Sequence, residues 1–160
     1  MKKILAIAFI CVSLSLIPDS SEAQDQGFGI GAVINGPTGI SYKAWIDQRV
    51  AIGGAATFTV GDGTDLFYTH ADVLVHNNSL IKGGDLPGSL SLYYGGGVAL
   101  SFFNDSAQDE NVDIRAPIGT VYGLEQAPLD LFFELVPTLR VVESTRFFLN
   151  GAVGVRFYLN

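Results

Sequence analysis

From about residue 24 onward, apolar and polar residues alternate in runs separated by turn signals. Side chains on a β-strand point to opposite faces with a period of two, so each such run predicts a half-buried strand. The first runs from Phe28 to Ile34 and closes at Asn35-Gly36-Pro37-Thr38. The second, Ile40 to Ile46, closes at Asp47-Gln48-Arg49. The third runs from Val50 to Val60 and ends at Gly61-Asp62-Gly63-Thr64. The fourth, Leu66 to Val75, precedes a longer connection from His76 to Pro87. The fifth spans Ser89 to Phe103, the sixth Val112 to Leu124, the seventh Leu129 to Val142 and the eighth Thr145 to Leu159. No stretch repeats apolar residues at helical spacing over three turns. Eight strands with mostly hairpin-length links predict an antiparallel up-and-down meander. Leu86 to Phe103 carries no charge, but it contains Pro87, four glycines and three serines and it alternates, so it reads as a strand and not as a spanning helix.

Each run keeps two distinct faces. In the eighth, Phe147, Leu149, Val153, Val155, Phe157 and Leu159 share one side with Gly151. Arg146, Phe148, Asn150, Ala152, Gly154, Arg156 and Tyr158 share the other. In the seventh, Leu129, Leu131, Phe133, Leu135, Leu139 and Val141 oppose Asp130, Phe132, Glu134, Thr138 and Arg140. In the sixth, Val112, Ile114 and Ile118 oppose Asp113, Arg115 and Pro117, the proline being an irregularity in the ladder. A soluble sheet exposes a face of Lys, Glu, Thr and Gln. The second face here is Gly, Ala and Ser with scattered charges of both signs, which suits the narrow interior of an eight-strand barrel. The first face carries no charge in runs five to eight, where Lys or Arg at mid-bilayer would cost about 2–4 kcal/mol. The pattern therefore predicts an all-β, eight-stranded transmembrane barrel, apolar outside and polar within.

Composition agrees. Of 160 residues only 16% are charged, 48% are hydrophobic and 19 are glycine, so a disordered chain is excluded. Nine Lys+Arg against sixteen Asp+Glu, without a basic cluster, argue against nucleic acid as a partner. Lys2 and Lys3, an apolar stretch from Ile4 to Ile17, and Ser21-Glu22-Ala23 read as a secretory signal peptide over residues 1–23, with the barrel domain over 24–160. The single cysteine, Cys11, falls in that leader, so no thiol chemistry is expected of the barrel.

With its leader, eight short alternating strands and amphipathic last strand, the chain resembles the small eight-stranded outer-membrane barrels of the OmpA-, OmpX- and OmpW-like kind. The resemblance covers the whole of 24–160. Its most specific part is the last strand, where Phe147, Leu149, Val153, Val155, Phe157 and Tyr158 resemble the docking signal for the barrel-assembly machinery. Here Leu159-Asn160 follow the final aromatics, a departure from the family's terminal aromatic residue. The resemblance implies the outer membrane of a Gram-negative-type (diderm) bacterium as location. It implies outer-membrane lipid as surroundings, and assembly machinery and periplasmic chaperones as partners during biogenesis. A monomer is the expected state, which the sequence itself does not fix. With the N-terminus in the periplasm, every outside loop is short, and the longest link, 76–87, lies on the periplasmic side.

No catalytic, cofactor or metal signature emerges. His70 and His76 are six residues apart, too far along a strand to share an ion. Gly61-Asp62-Gly63-Thr64 precedes a strand and reads as a hairpin turn, and Asn77-Asn78-Ser79 as a chance sequon. The candidate site is the set of charges on the polar faces: Lys43, Asp72, Arg115, Glu134, Arg140 and Arg156. In a narrow lumen an isolated charge is costly, so these should pair. Glu134, between the sixth and eighth runs, should meet Arg115, Arg156 or both. The leading expectation is a non-catalytic structural or envelope barrel with a filled lumen. The alternatives are a narrow small-solute channel and a secreted, lipocalin-like barrel with its apolar face inward.

Overall fold

The computed structural model describes residues 27–35, 38–59, 66–82, 88–103, 110–124, 126–142 and 145–159. The expected leader over 1–23, the 61–64 turn and residues 104–109 of the expected outside loop at 104–111 lie beyond them. So do the side chains of Asn78 and Ser79. The strands are β1 (Phe28–Ile34), β2 (Thr38–Trp45), β3 (Val50–Thr59), β4 (Leu66–Lys82), β5 (Gly88–Phe103), β6 (Asn111–Arg115), β7 (Ile118–Leu124), β8 (Leu129–Arg140) and β9 (Arg146–Leu159). Every pairing is antiparallel: strands adjacent in the chain pair, except that β6 and β7 each pair with β5 and β8 and not with each other, and β1 also pairs with β9, so the sheet closes on itself. No helix among the described residues is long and apolar enough to cross a membrane.

Two expectations need correction. The sixth run is not one strand: it breaks at Ala116-Pro117 into β6 and β7. Both halves pair with β5 and β8, so the barrel still has eight walls. Pro117 has no N–H to donate. The wall is stitched across the gap by Ala116 N–H to the Pro137 carbonyl (2.9 Å) and Gly95 N–H to the Pro117 carbonyl (2.9 Å). The 76–87 connection is also largely strand. β4 continues to Lys82 through a bulge, where Asn77 faces Leu92 and Ile81 faces Leu90. The bulge breaks the alternation, and the Asn-Asn pair imitates a turn.

Register fixes the barrel geometry. Partners followed around the wall run Gly29, Lys43, Gly53, Asp72, Gly97, Arg115, Thr138, Phe148. The β9 partner of Gly29 itself is Tyr158, ten residues beyond Phe148. A stagger of ten over eight strands tilts them by roughly 40° to the barrel axis. Both termini of the sheet, Phe28 and Leu159, lie at one end, called here the termini end.

The faces sort as the alternation predicts. Phe133, Leu135, Val153 and Val155 are exposed on the outside, while Arg115, Glu134 and Arg156 are buried inside. The lipocalin-like alternative, which needs the apolar side chains within, does not fit this sorting. Small residues make room for the large interior ones. Tyr93 lies over its cross-strand partner Gly119, Phe132 over Gly154 and Tyr158 over Gly29, where any Cβ would meet the ring. Gly31 meets the backbone of Val155 and Arg156, so β1 and β9 approach there more closely than a side chain permits.

Candidate functional site

The candidate site is the lumen. Arg115, on β6 next to the break, is its hub and is only 1% exposed. Its Nε donates to Asp72 Oδ1 on β4 (2.8 Å), its Nη1 to the Tyr68 hydroxyl (2.8 Å) and its Nη2 to Glu134 Oε1 on β8 (3.4 Å). The second oxygen of each carboxylate is also held. His70 Nδ1 lies 2.9 Å from Asp72 Oδ2, and Tyr93 donates to Glu134 Oε2 at 2.9 Å. The His70 bond assigns its proton to Nδ1.

A second group lies nearer the termini end. Arg156 donates to Ser41 Oγ (2.9 Å), stacks on Phe132 (3.8 Å to the ring centroid) and stands 3.7 Å from Asp130 Oδ2. Asp130 also accepts from the Tyr158 hydroxyl at 2.6 Å. Lys43 is as deeply buried as Arg115, but its partner is a ring and not a carboxylate. Its Nζ is 2.9 Å from His76 Nε2 and 4.1 Å from the Trp45 ring centroid. The His76 ring stacks on Tyr93 at 5.2 Å, which ties the two groups together.

Arg140 stands apart from both, half-buried at the other end, where it grips Asp113 with two nitrogens at 2.9 and 3.4 Å. Of the six expected charges, then, Arg115, Asp72 and Glu134 converge, Lys43 and Arg156 form a second set, and Arg140 pairs alone. Arg156 meets Asp130, its direct cross-strand partner; the ion pair of Glu134 is with Arg115. Asp113, Asp130, Tyr68, Tyr93, Ser41 and both histidines complete the network and were absent from the expected set. Asp113 shares the face of Arg115, and Asp130 the face of Glu134, so strand parity already marked them.

A cavity of ≈ 10 Å³, about one water's worth, lies among Ser41, His70, Asp72, Glu134 and Arg156. Among the described residues, no group of three or more His, Cys, Asp or Glu is placed to hold a metal ion. The arrangement can tie neighbouring walls together inside the barrel: Arg115 joins β6 across β5 to β4, and also to its pairing partner β8. Outside the lumen, Asp47 closes the β2–β3 turn. Its Oδ1 accepts the N–H groups of Arg49 (2.7 Å) and Val50 (2.8 Å), which hold its carboxyl below the usual carboxylate range.

The N-terminal β-barrel domain of Pseudomonas aeruginosa OprF superposes on 82% of this chain and 95% of its own, with a TM-score of 0.58 at 15% identity. The fold is that of the small eight-stranded outer-membrane barrels. The attachment invasion locus protein Ail of Yersinia pestis covers 83% of this chain and 94% of its own, with a TM-score of 0.41 at 11% identity. No family model matches the chain, and no curated protein matches it.

Proposed function

We propose that the chain is a non-catalytic barrel of the outer membrane of a diderm bacterium, whose role is structural and whose lumen is shut by its own side chains. One observation carries this reading: charged and aromatic side chains fill the interior while the apolar side chains face out. On β9 the outward apolar residues run from Phe147 to Leu159, about 30 Å of height at the tilt given above. That matches the hydrocarbon thickness of a bilayer. Lys43 and Arg115, both buried at 1% exposure inside the barrel, support the closed reading. The assembly machinery and periplasmic chaperones belong to this reading as partners in biogenesis, and the barrel is a monomer in it.

The test is incorporation into planar bilayers together with an unheated SDS gel. A closed barrel migrates as a compact species until boiled and adds no conductance steps. Steady unitary currents from such a folded preparation would replace the structural role with that of a narrow channel. A chain that stays folded in buffer without detergent would remove the membrane reading itself.

A further inference from the structure

The barrel wall is uneven at the end away from the termini. β9 pairs with β1 only from Val153 to Leu159, because β1 stops at Ile34 and the chain turns back into β2. From Arg146 to Ala152, β9 pairs with β8 alone. Tyr158 N–H bonds the Pro128 carbonyl, so the even-numbered residues of β9 direct their backbone groups to β8. The odd-numbered ones face the other way. Phe147, Leu149 and Gly151 therefore present N–H and C=O groups to a side where no strand among the described residues pairs with them.

This free edge sits within the apolar band. Phe147 is 68% and Leu149 60% exposed, and Ile34, Ile40 and Phe58 are exposed across the notch. An acyl chain has no groups to bond such an edge, and backbone groups left unmet in hydrocarbon are strongly disfavoured. A second copy does not fit. Two barrels inserted with the same orientation and related by an axis along the membrane normal would cross their tilted β9 strands at roughly twice 40°. What fits is an extended strand, which is how β1 already occupies the other half of the same edge. Charge narrows the choice further. Arg146 lies directly across from Arg140, and of the two only Arg140 has its carboxylate, Asp113.

We infer that Arg146–Ala152 is a strand-addition edge that takes an extended segment of a partner protein, apolar at alternate positions and acidic where it meets Arg146. Only the cost of leaving the edge bare rests on the membrane reading; the row of backbone donors and acceptors does not.

The probe is a capped heptapeptide of alternating threonine and valine ending in glutamate, offered to the folded barrel in lipid nanodiscs. In the free barrel the amides of Phe147, Leu149 and Gly151 should exchange at least tenfold faster than those of Val153, Val155 and Phe157. Peptide should bind saturably and slow them. A peptide N-methylated at its valines should bind at least tenfold more weakly. Arg146→Glu should weaken the glutamate peptide, and a lysine-ended peptide should restore binding to that variant. Amides already protected in the free barrel, no saturable binding, or equal binding of the N-methylated peptide would overturn the inference. None of those results bears on bilayer insertion or conductance.

Discussion

At the residue scale the lumen turns on Arg115. A guanidinium taken out of water is tolerated when it is paired and hydrogen-bonded, and here Asp72, Tyr68 and Glu134 each take one N–H from a different nitrogen of Arg115. Glu134→Gln leaves a donor where a carboxylate stood and strips Arg115 of one counter-charge. It should lower unfolding stability in detergent by roughly 3–5 kcal/mol. Tyr93→Phe, which removes only the hydroxyl bonded to Glu134, should cost roughly 1 kcal/mol. Urea titration of the two variants checks both, and equal losses would show that Glu134 is held by Tyr93 more than by Arg115. Asp47 belongs to the same scale with a different solvent. Its carboxyl is lowered in the fold by two backbone N–H bonds. Its contribution is therefore complete above the carboxylate's unfolded pKa and fades as pH falls through the lowered folded value. The gap between wild type and Asp47→Ala should close on acidification, with no matching change between pH 6 and 8. Much of this was readable beforehand. Glu134 and Arg115 are on neighbouring strands with inward parity, so their meeting follows from strand order. That Arg156 takes Asp130 was not readable, because the height of a side chain in the lumen depends on the ten-residue stagger, and no single turn in the chain states it.

At the element scale, alternation was a faithful guide wherever the two faces of a strand meet different surroundings. It therefore located β1, β3, β8 and β9 to within a residue or two of their observed ends. It weakened where backbone geometry departs from the ladder. The β4 bulge and the gap at Ala116-Pro117 both shift pairing without any change in hydrophobicity. Several of the strand glycines are spatial: Gly29, Gly119 and Gly154 lie under aromatic rings, and Gly31 against a neighbouring backbone. Gly119 is the sharpest case, because Tyr93 lies across it and a Cβ would meet both the ring and the Phe133 carbonyl. Gly119→Val should destabilise by about 1–3 kcal/mol through overpacking. Gly151→Val offers a control on the outer face of β9, since a Cβ there meets nothing closer than 3.9 Å. Its cost should be near zero. If the two substitutions shift the urea midpoint alike, the interior of β7 is less tightly filled than Tyr93 implies.

At the scale of the whole molecule the charges are arranged in layers of alternating sign along the axis. Starting from the termini end, Asp130 is followed by Lys43 and Arg156, then by Asp72 and Glu134, then by Arg115, and finally by the Asp113–Arg140 pair. The order follows from the register: each step toward the other end on a given strand is a rise of roughly 2.5 Å along the axis at this tilt. A mobile anion passing the basic layer meets two carboxylates next, and a cation meets the reverse, so ions of either sign are opposed. Neutralising one layer should break that symmetry. The Asp72→Asn, Glu134→Gln double variant leaves Lys43, Arg156 and Arg115 in sequence with no acidic layer between them. If this variant still resists SDS without heating, its bilayer records should show a small anion-preferring conductance, read as a reversal potential displaced toward that of chloride in a salt gradient. The matched variant at the basic layer, Lys43→Met with Arg156→Met, should displace it toward the cation. Silent records from both folded variants would mean that side-chain volume, led by Tyr93, Phe132 and Leu74, closes the lumen without help from charge.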